Sequence, residues 1–225
     1  MAQAGIHGLA GMAIKKWTPE RTWLLLGIIL GNIFPDLDNI AVAAATILGK
    51  PTDGLHRTFT HSLFTVAAVI LVFYLVARVS NQSRWLNLGV GLGIGILMHI
   101  VLDLLIWFNG VELLWPIPSW VNFWGGVTPA EWWSRLMLPA EFLFFALFFL
   151  LLGRSARLQG TDSEYLSKLR IWTVIQGFLF VIFLVLVYTM QSGFMTPYGA
   201  VYLLSLGLAF GVTIRMRETI ESAAA

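Results

Sequence analysis

Five long apolar blocks, at about residues 60–77, 85–108, 136–152, 171–190 and 197–214, constrain this chain more than any other feature. Crossing the hydrocarbon core of a bilayer takes roughly 20 helical residues, because each adds about 1.5 Å. None of the blocks shows the strict two-residue alternation of an outer-membrane barrel strand. Lipid offers no partner to a free backbone N–H or C=O, so helices are the economical solution. Composition agrees: 58% of the 225 residues are hydrophobic and 12% charged, whereas a soluble domain carries about a quarter charged residues. The expected fold class is all-α, a polytopic integral membrane helical bundle.

The apolar stretches of the N-terminal part are shorter. Residues 4–14 and 22–34 are apolar but only about 18–20 Å long as helices, which predicts a short helical hairpin beside five full spans. The basic connection from Lys15 to Arg21 contains Thr18 and Pro19, a reasonable N-cap and first position for the second helix. That helix should stop near Pro35, and a further apolar piece at 39–48 follows, capped by Asp38 or Asn39. Lys15 and Lys16 follow the first apolar stretch, the reverse of a cleavable signal peptide. With no cysteine, thiolate ligation and disulfides are excluded. A formal charge of +2, without a basic stripe or phosphate loop, gives no sign of nucleic acid binding.

Positive charge orients the bundle. Lys15, Lys16, Arg21, Arg78, Arg84, Arg154, Arg157, Lys168, Arg170, Arg215 and Arg217 fall on one side, against Lys50, Arg57 and Arg135 on the other. The basic side is expected to be cytoplasmic, and the Trp-rich loop at 109–134 lies opposite. Two parts are expected: residues 1–120 as a helical bundle carrying a metal site, and 121–225 as the rest of that loop with three further membrane helices.

Ionisable groups within apolar segments cost roughly 2.5–3.5 kcal/mol each, which makes their positions informative. All four histidines are of this kind: His7, His56, His61 and His99. Asp36, Asp38 and Asp103 lie near them in the chain, and the up-and-down topology carries the whole set to the non-basic side. His99 and Asp103 are i and i+4 on one helix, a sound pair of ligands for a divalent metal, or equally a buried hydrogen-bonded pair. Asp36 and Asp38 follow Pro35, so that one is aimed at a metal while the other caps a helix or orients a ligand. His56 belongs in a loop and His61 in a first helical turn, with Arg57 suited to an anionic substrate or to lipid headgroups. Gly8 and Gly11 beside His7 suggest close helix packing.

These motifs resemble the YdjM-like family, described as inner-membrane-associated metal-dependent hydrolases and as LexA-binding. The resemblance is carried by His7 with Gly11, Pro35-Asp36-Leu37-Asp38, His56-Arg57 through Thr60-His61-Ser62-Leu63, His99 to Asp103, and Gly110 through Leu113-Leu114-Trp115-Pro116. It covers roughly the first 120 residues, with Thr58 and Ile106 standing where the family pattern suggests a glycine and a polar residue. A similar His-x-x-x-Asp arrangement occurs in soluble zinc-dependent phospholipase C and related nucleases, which favours phosphoester substrates.

The expected function is a membrane-embedded hydrolase using one or two divalent ions of zinc, manganese or iron. Asp36, His61, His99 and Asp103 are the expected core ligands, and His7 and His56 additional or second-metal ligands. Asp38 is expected as an outer carboxylate or general base, and Arg57 as a stabiliser of developing negative charge. The expected partner is membrane lipid, with a lipid-soluble or phosphoester substrate; the Trp-rich stretch either admits it from the lipid interface or serves only as an aromatic belt. The competing reading is a non-catalytic membrane protein that holds a metal or a pigment. A transporter is disfavoured, since of the last three spans only one has an acidic residue, Glu141 near an end.

Overall fold

A computed structural model describes residues 4–190 and 192–222. Its helices are α1 (Ala4–Ala13), α2 (Leu24–Ile33), α3 (Asn39–Ile47), α4 (Leu63–Ser80), α5 (Ser83–Ile106), α6 (Glu131–Gln159), α7 (Leu166–Thr189), α8 (Met195–Arg215) and the short α9 (Arg217–Glu221). Among the described residues, six stretches are long and apolar enough to cross a membrane: Leu24–Ile47, Leu63–Ser80, Ser83–Ile106, Glu131–Gln159, Ser163–Thr189 and Met195–Arg215. The chain is an all-α polytopic helical bundle.

The first of the six is longer than the hairpin arm expected from sequence. The α-helix does end just before Pro35, at Ile33, but the chain continues through a 3-10 segment, Phe34–Asp38, straight into α3. Proline removes one N–H from the ladder, and the tighter helical turn absorbs that loss without reversing the chain. Neither Thr18 nor Pro19 caps α2. The Glu221 carboxylate, from α9, accepts from the backbone N–H groups of Trp23 and, at 2.9 Å, of Leu26. A tertiary contact thus satisfies donors that a local cap would ordinarily take.

α2 crosses α5 almost backbone to backbone. A β-carbon added at Gly31 would lie 2.2 Å from the Leu92 carbonyl oxygen, and one at Gly95 2.2 Å from that of Ile28. Gly27 and Gly91 meet in the same way one turn away, at 2.5 Å from Leu88 O and 2.3 Å from Leu24 O. Glycines four apart on both helices form the small-residue seam that lets membrane helices approach closely.

α1 lies against α2 and α6, α6 runs along α7, α4 covers α5, and α8 packs on α2 and α6. The main core is aromatic: Phe142, Phe145 and Phe149 recur every third or fourth residue on one face of α6, and with Phe148 they are fully buried. α4 and α7 leave most of their apolar surface exposed, as peripheral helices facing lipid do. Within the loop 109–134, strands β1 (Val111–Glu112) and β2 (Trp120–Val121) pair antiparallel, with Glu112 opposite Trp120.

Candidate metal centre

The close crossing of α2 on α5 is what builds the site. It brings the Asn32 carbonyl within 2.7 Å of His99 Nδ1. A carbonyl only accepts, so this bond puts the His99 proton on Nδ1 and leaves the Nε2 lone pair facing inward. His61 is the last residue of the 3-10 turn Phe59–His61. Its Nδ1 is 2.9 Å from the Thr60 hydroxyl, whose own proton is donated to Asp38 Oδ2 at 2.8 Å. His61 therefore donates from Nδ1, and its Nε2 lone pair also points inward. The two Nε2 atoms stand 3.1 Å apart.

The acidic groups surround this pair. Asp103 Oδ2 is 3.6 Å from His61 Nε2 and 3.8 Å from His99 Nε2, while Asp36 Oδ1 is 4.0 Å from His99 Nε2. His7 stacks on His99 with ring centres 3.7 Å apart and places its Nε2 3.2 Å from Asp103 Oδ1. Two sets able to hold a metal ion result, His7 with His99 and Asp103, and Asp36 with His61 and His99; within each, one ligand atom per residue lies within 4.8 Å of the others. All five residues are buried. Since His99 Nδ1 is taken by Asn32, only one of its nitrogens is available, and both sets converge on it.

Asp38, Arg57 and His56 form the next layer. Asp38 accepts from His56 Nδ1 at 2.7 Å, from Asn39 Nδ2 at 3.2 Å and from the Arg57 backbone N–H at 3.1 Å, besides Thr60. Its side chain does not cap α3. Arg57 sits in the left-handed region with φ 64°, a conformation that costs a non-glycine residue roughly 1–2 kcal/mol. That backbone turns its guanidinium to Asp103 Oδ2 at 3.3 Å and to the Asn109 carbonyl at 3.2 Å. The His56 ring, 20% exposed, lies outside both ligand sets and meets them through Asp38 and edge to face against His61, ring centres 5.6 Å apart. Burial holds its pKa below the ordinary imidazole range, although the hydrogen bond and charge of Asp38 pull the other way.

The β1–β2 hairpin covers this layer. Glu112 N donates to Arg57 O at 2.9 Å, Leu63 N to Leu113 O at 2.9 Å, and Ser62 Oγ to Trp115 O at 3.0 Å. Trp115, Trp120 and Phe123 on the same loop are exposed.

Against this geometry, the family described as YdjM inner membrane protein matches residues 3–215. The chain belongs to that family. The match reaches well past the first 120 residues that carry the motif resemblance, and takes in α6, α7 and α8, so the later helices of this YdjM-family protein are part of the family pattern. No curated protein and no solved structure matches the chain.

The structure brings His7, Asp36, His61, His99 and Asp103 of this YdjM-family chain into one cluster, with Asp38, Arg57 and His56 directly behind it. Asn32, which no sequence motif marks, and Thr60, which the motif includes without a stated role, set the two histidine tautomers. A lone Asn inside the apolar run 22–34 was the available signal for one, and a hydroxyl adjoining His61 for the other.

Proposed function

We propose that this chain is a membrane-embedded hydrolase built around a single divalent metal ion, acting on a phosphoester or other ester drawn from the lipid interface. The contact between His61 Nε2 and His99 Nε2 carries the reading. Two imidazole lone pairs aimed at each other across 3.1 Å repel unless a cation lies between them. Nitrogens each about 2.0–2.1 Å from zinc are about 2.9–3.4 Å apart at coordination angles between right-angled and tetrahedral. Charge supports it too: when ionised, the three buried carboxylates Asp36, Asp38 and Asp103 outnumber the one buried guanidinium, Arg57, by two charges. A divalent cation offsets that charge, and buried charge without compensation is costly.

Asp36, His61, His99 and Asp103 would hold the ion, with His7 as a fifth candidate. His56 is better suited to the rim than to ligation of this ion, because it belongs to neither set of residues whose ligand atoms converge. A bound divalent ion supplies a more acidic water and polarises the ester oxygen. Around it the chain's own groups orient and neutralise. Asp38, through Thr60, holds His61 in its ligating tautomer, and its four hydrogen bonds fit a positioning carboxylate better than a general base. Arg57 sets a fixed positive charge beside Asp103, where an anionic substrate would meet it. The exposed aromatics of the hairpin support access from lipid, and the Lys and Arg asymmetry supports a site on the non-cytoplasmic face of the membrane.

Protein purified in detergent should carry close to one equivalent of metal by elemental mass spectrometry, and His99→Ala and Asp36→Ala should lose it. The metal-loaded parent should hydrolyse at least one member of a phosphoester and carboxylic ester panel. Metal retained without any turnover would instead support a metal-binding assembly protein, and a folded parent that takes up no metal would overturn the site. Thr60→Val keeps the shape and removes the hydroxyl between Asp38 and His61. Competition with a fluorescent chelator should show metal affinity about 10–100-fold weaker in that variant.

A further inference from the structure

Glu141 is buried on α6 and belongs to no part of the site described above. Its Oε1 accepts from the backbone N–H of Gly5 at 2.7 Å, across 136 residues of chain. Its Oε2 has no partner among the described residues. Gly5 itself leaves no room to shift: an added β-carbon would be 2.8 Å from Phe144 Cβ and 2.9 Å from the Phe145 backbone nitrogen. The first turn of α1 is thus pressed against the α6 backbone and pinned there by one carboxylate. His7 is two residues further along the same turn, stacked on His99 and bonded to Asp103.

A ten-residue helix is too short to hold its own register. Sliding or turning α1 by one residue would rotate His7 by about 100° and carry it off the cluster. In lipid an unsatisfied N–H is costly, so the Gly5 bond acts as a stop in both directions.

We infer that Glu141 is a positioning residue for the metal centre, acting at a distance by locking the register of α1 and so the place of His7. The inference rests on the metal reading proposed above and adds α6 to the elements that serve it. Glu141 belongs to neither ligand set, and what it supplies is an acceptor for Gly5 N–H, so the charge is dispensable.

The test is a double-mutant cycle on metal affinity, read by chelator competition with zinc in detergent, with thermal melting alongside. Glu141→Ala should weaken zinc binding about 10-fold or more, and Glu141→Gln, which keeps an oxygen acceptor for Gly5, should restore most of it. In a His7→Ala background, where there is no imidazole left to misplace, Glu141→Ala should cause no further loss of affinity. Equal losses in both backgrounds, or an Ala variant that melts earlier yet binds zinc as the parent does, would overturn the inference. A parent that binds no zinc would overturn the metal reading itself, a distinct result. If Glu141→Ala does not fold, the Gln variant decides: charge-dependent loss of zinc in a folded Glu141→Gln protein contradicts a role as a simple acceptor.

Discussion

Gly95→Ala should disable the protein although it adds one methyl group. The new carbon would stand 2.2 Å from Ile28 O, 2.6 Å from Asn32 N and 2.8 Å from Gly31 C. All three are backbone atoms, so no side chain can rotate away, and α2 must move off α5. Overpacking of this kind costs typically about 1–3 kcal/mol. The larger effect is local, since Asn32 O is the acceptor that sets the His99 tautomer. Once the helices part, that bond lengthens and Nε2 no longer holds its aim. Loss of stoichiometric metal by elemental mass spectrometry, with a lower melting temperature in detergent, is the expected result. Gly207→Ala is the matched control, because α8 has open space around that position. There the substitution should be neutral or stabilising by up to about 1 kcal/mol, as helix propensity alone dictates. Equal behaviour of the two variants would mean that the glycine seam does not set the site.

The second large effect is expected from Asp103→Ala. This carboxylate is in contact with four groups: His7 at 3.2 Å, Arg57 at 3.3 Å, His61 at 3.6 Å and His99 at 3.8 Å. Its removal takes away a ligand and also the carboxylate beside a buried guanidinium. Breaking a buried ion pair from one side destabilises by about 3–5 kcal/mol. Asp103→Ala should therefore lose both metal and thermal stability. Adding Arg57→Ala removes the guanidinium that has lost its 3.3 Å partner and should recover part of the melting temperature while metal stays absent. That split separates the two duties of Asp103: ligation depends on the carboxylate itself, whereas stability depends on its direct pairing with Arg57. If the double variant melts lower still, the pair is not a charge balance and Arg57 stabilises the fold by other contacts.

The parts of this molecule that were legible in the sequence are those whose meaning is local. Spans show as apolar length, and His99 with Asp103 shows as an i, i+4 pair on a helix. The convergence of His7, Asp36 and His61 on that pair could be anticipated because membrane topology fixes depth. What could not be read is pairwise contact across helices. Gly27, Gly31, Gly91 and Gly95 have suggestive spacing, but nothing in the sequence says that they face each other. Asn32 and Thr60 act through one carbonyl and one hydroxyl, whose roles depend on what stands opposite. The start of α2 was misplaced toward Thr18 and Pro19 because its true cap, Glu221, lies 198 residues from Trp23.

That distant cap has a consequence for biosynthesis. Chains emerge from the ribosome at roughly 5–20 residues per second, so α2 exists for about 10–40 s before the carboxylate that completes it has been made. Every residue assigned to the metal centre is translated before Arg135, yet the first turns of α1 and α2 wait for Glu141 and Glu221 respectively. The hydrogen bonds that complete the starts of α1 and α2 therefore form only after residues far along the chain have been made.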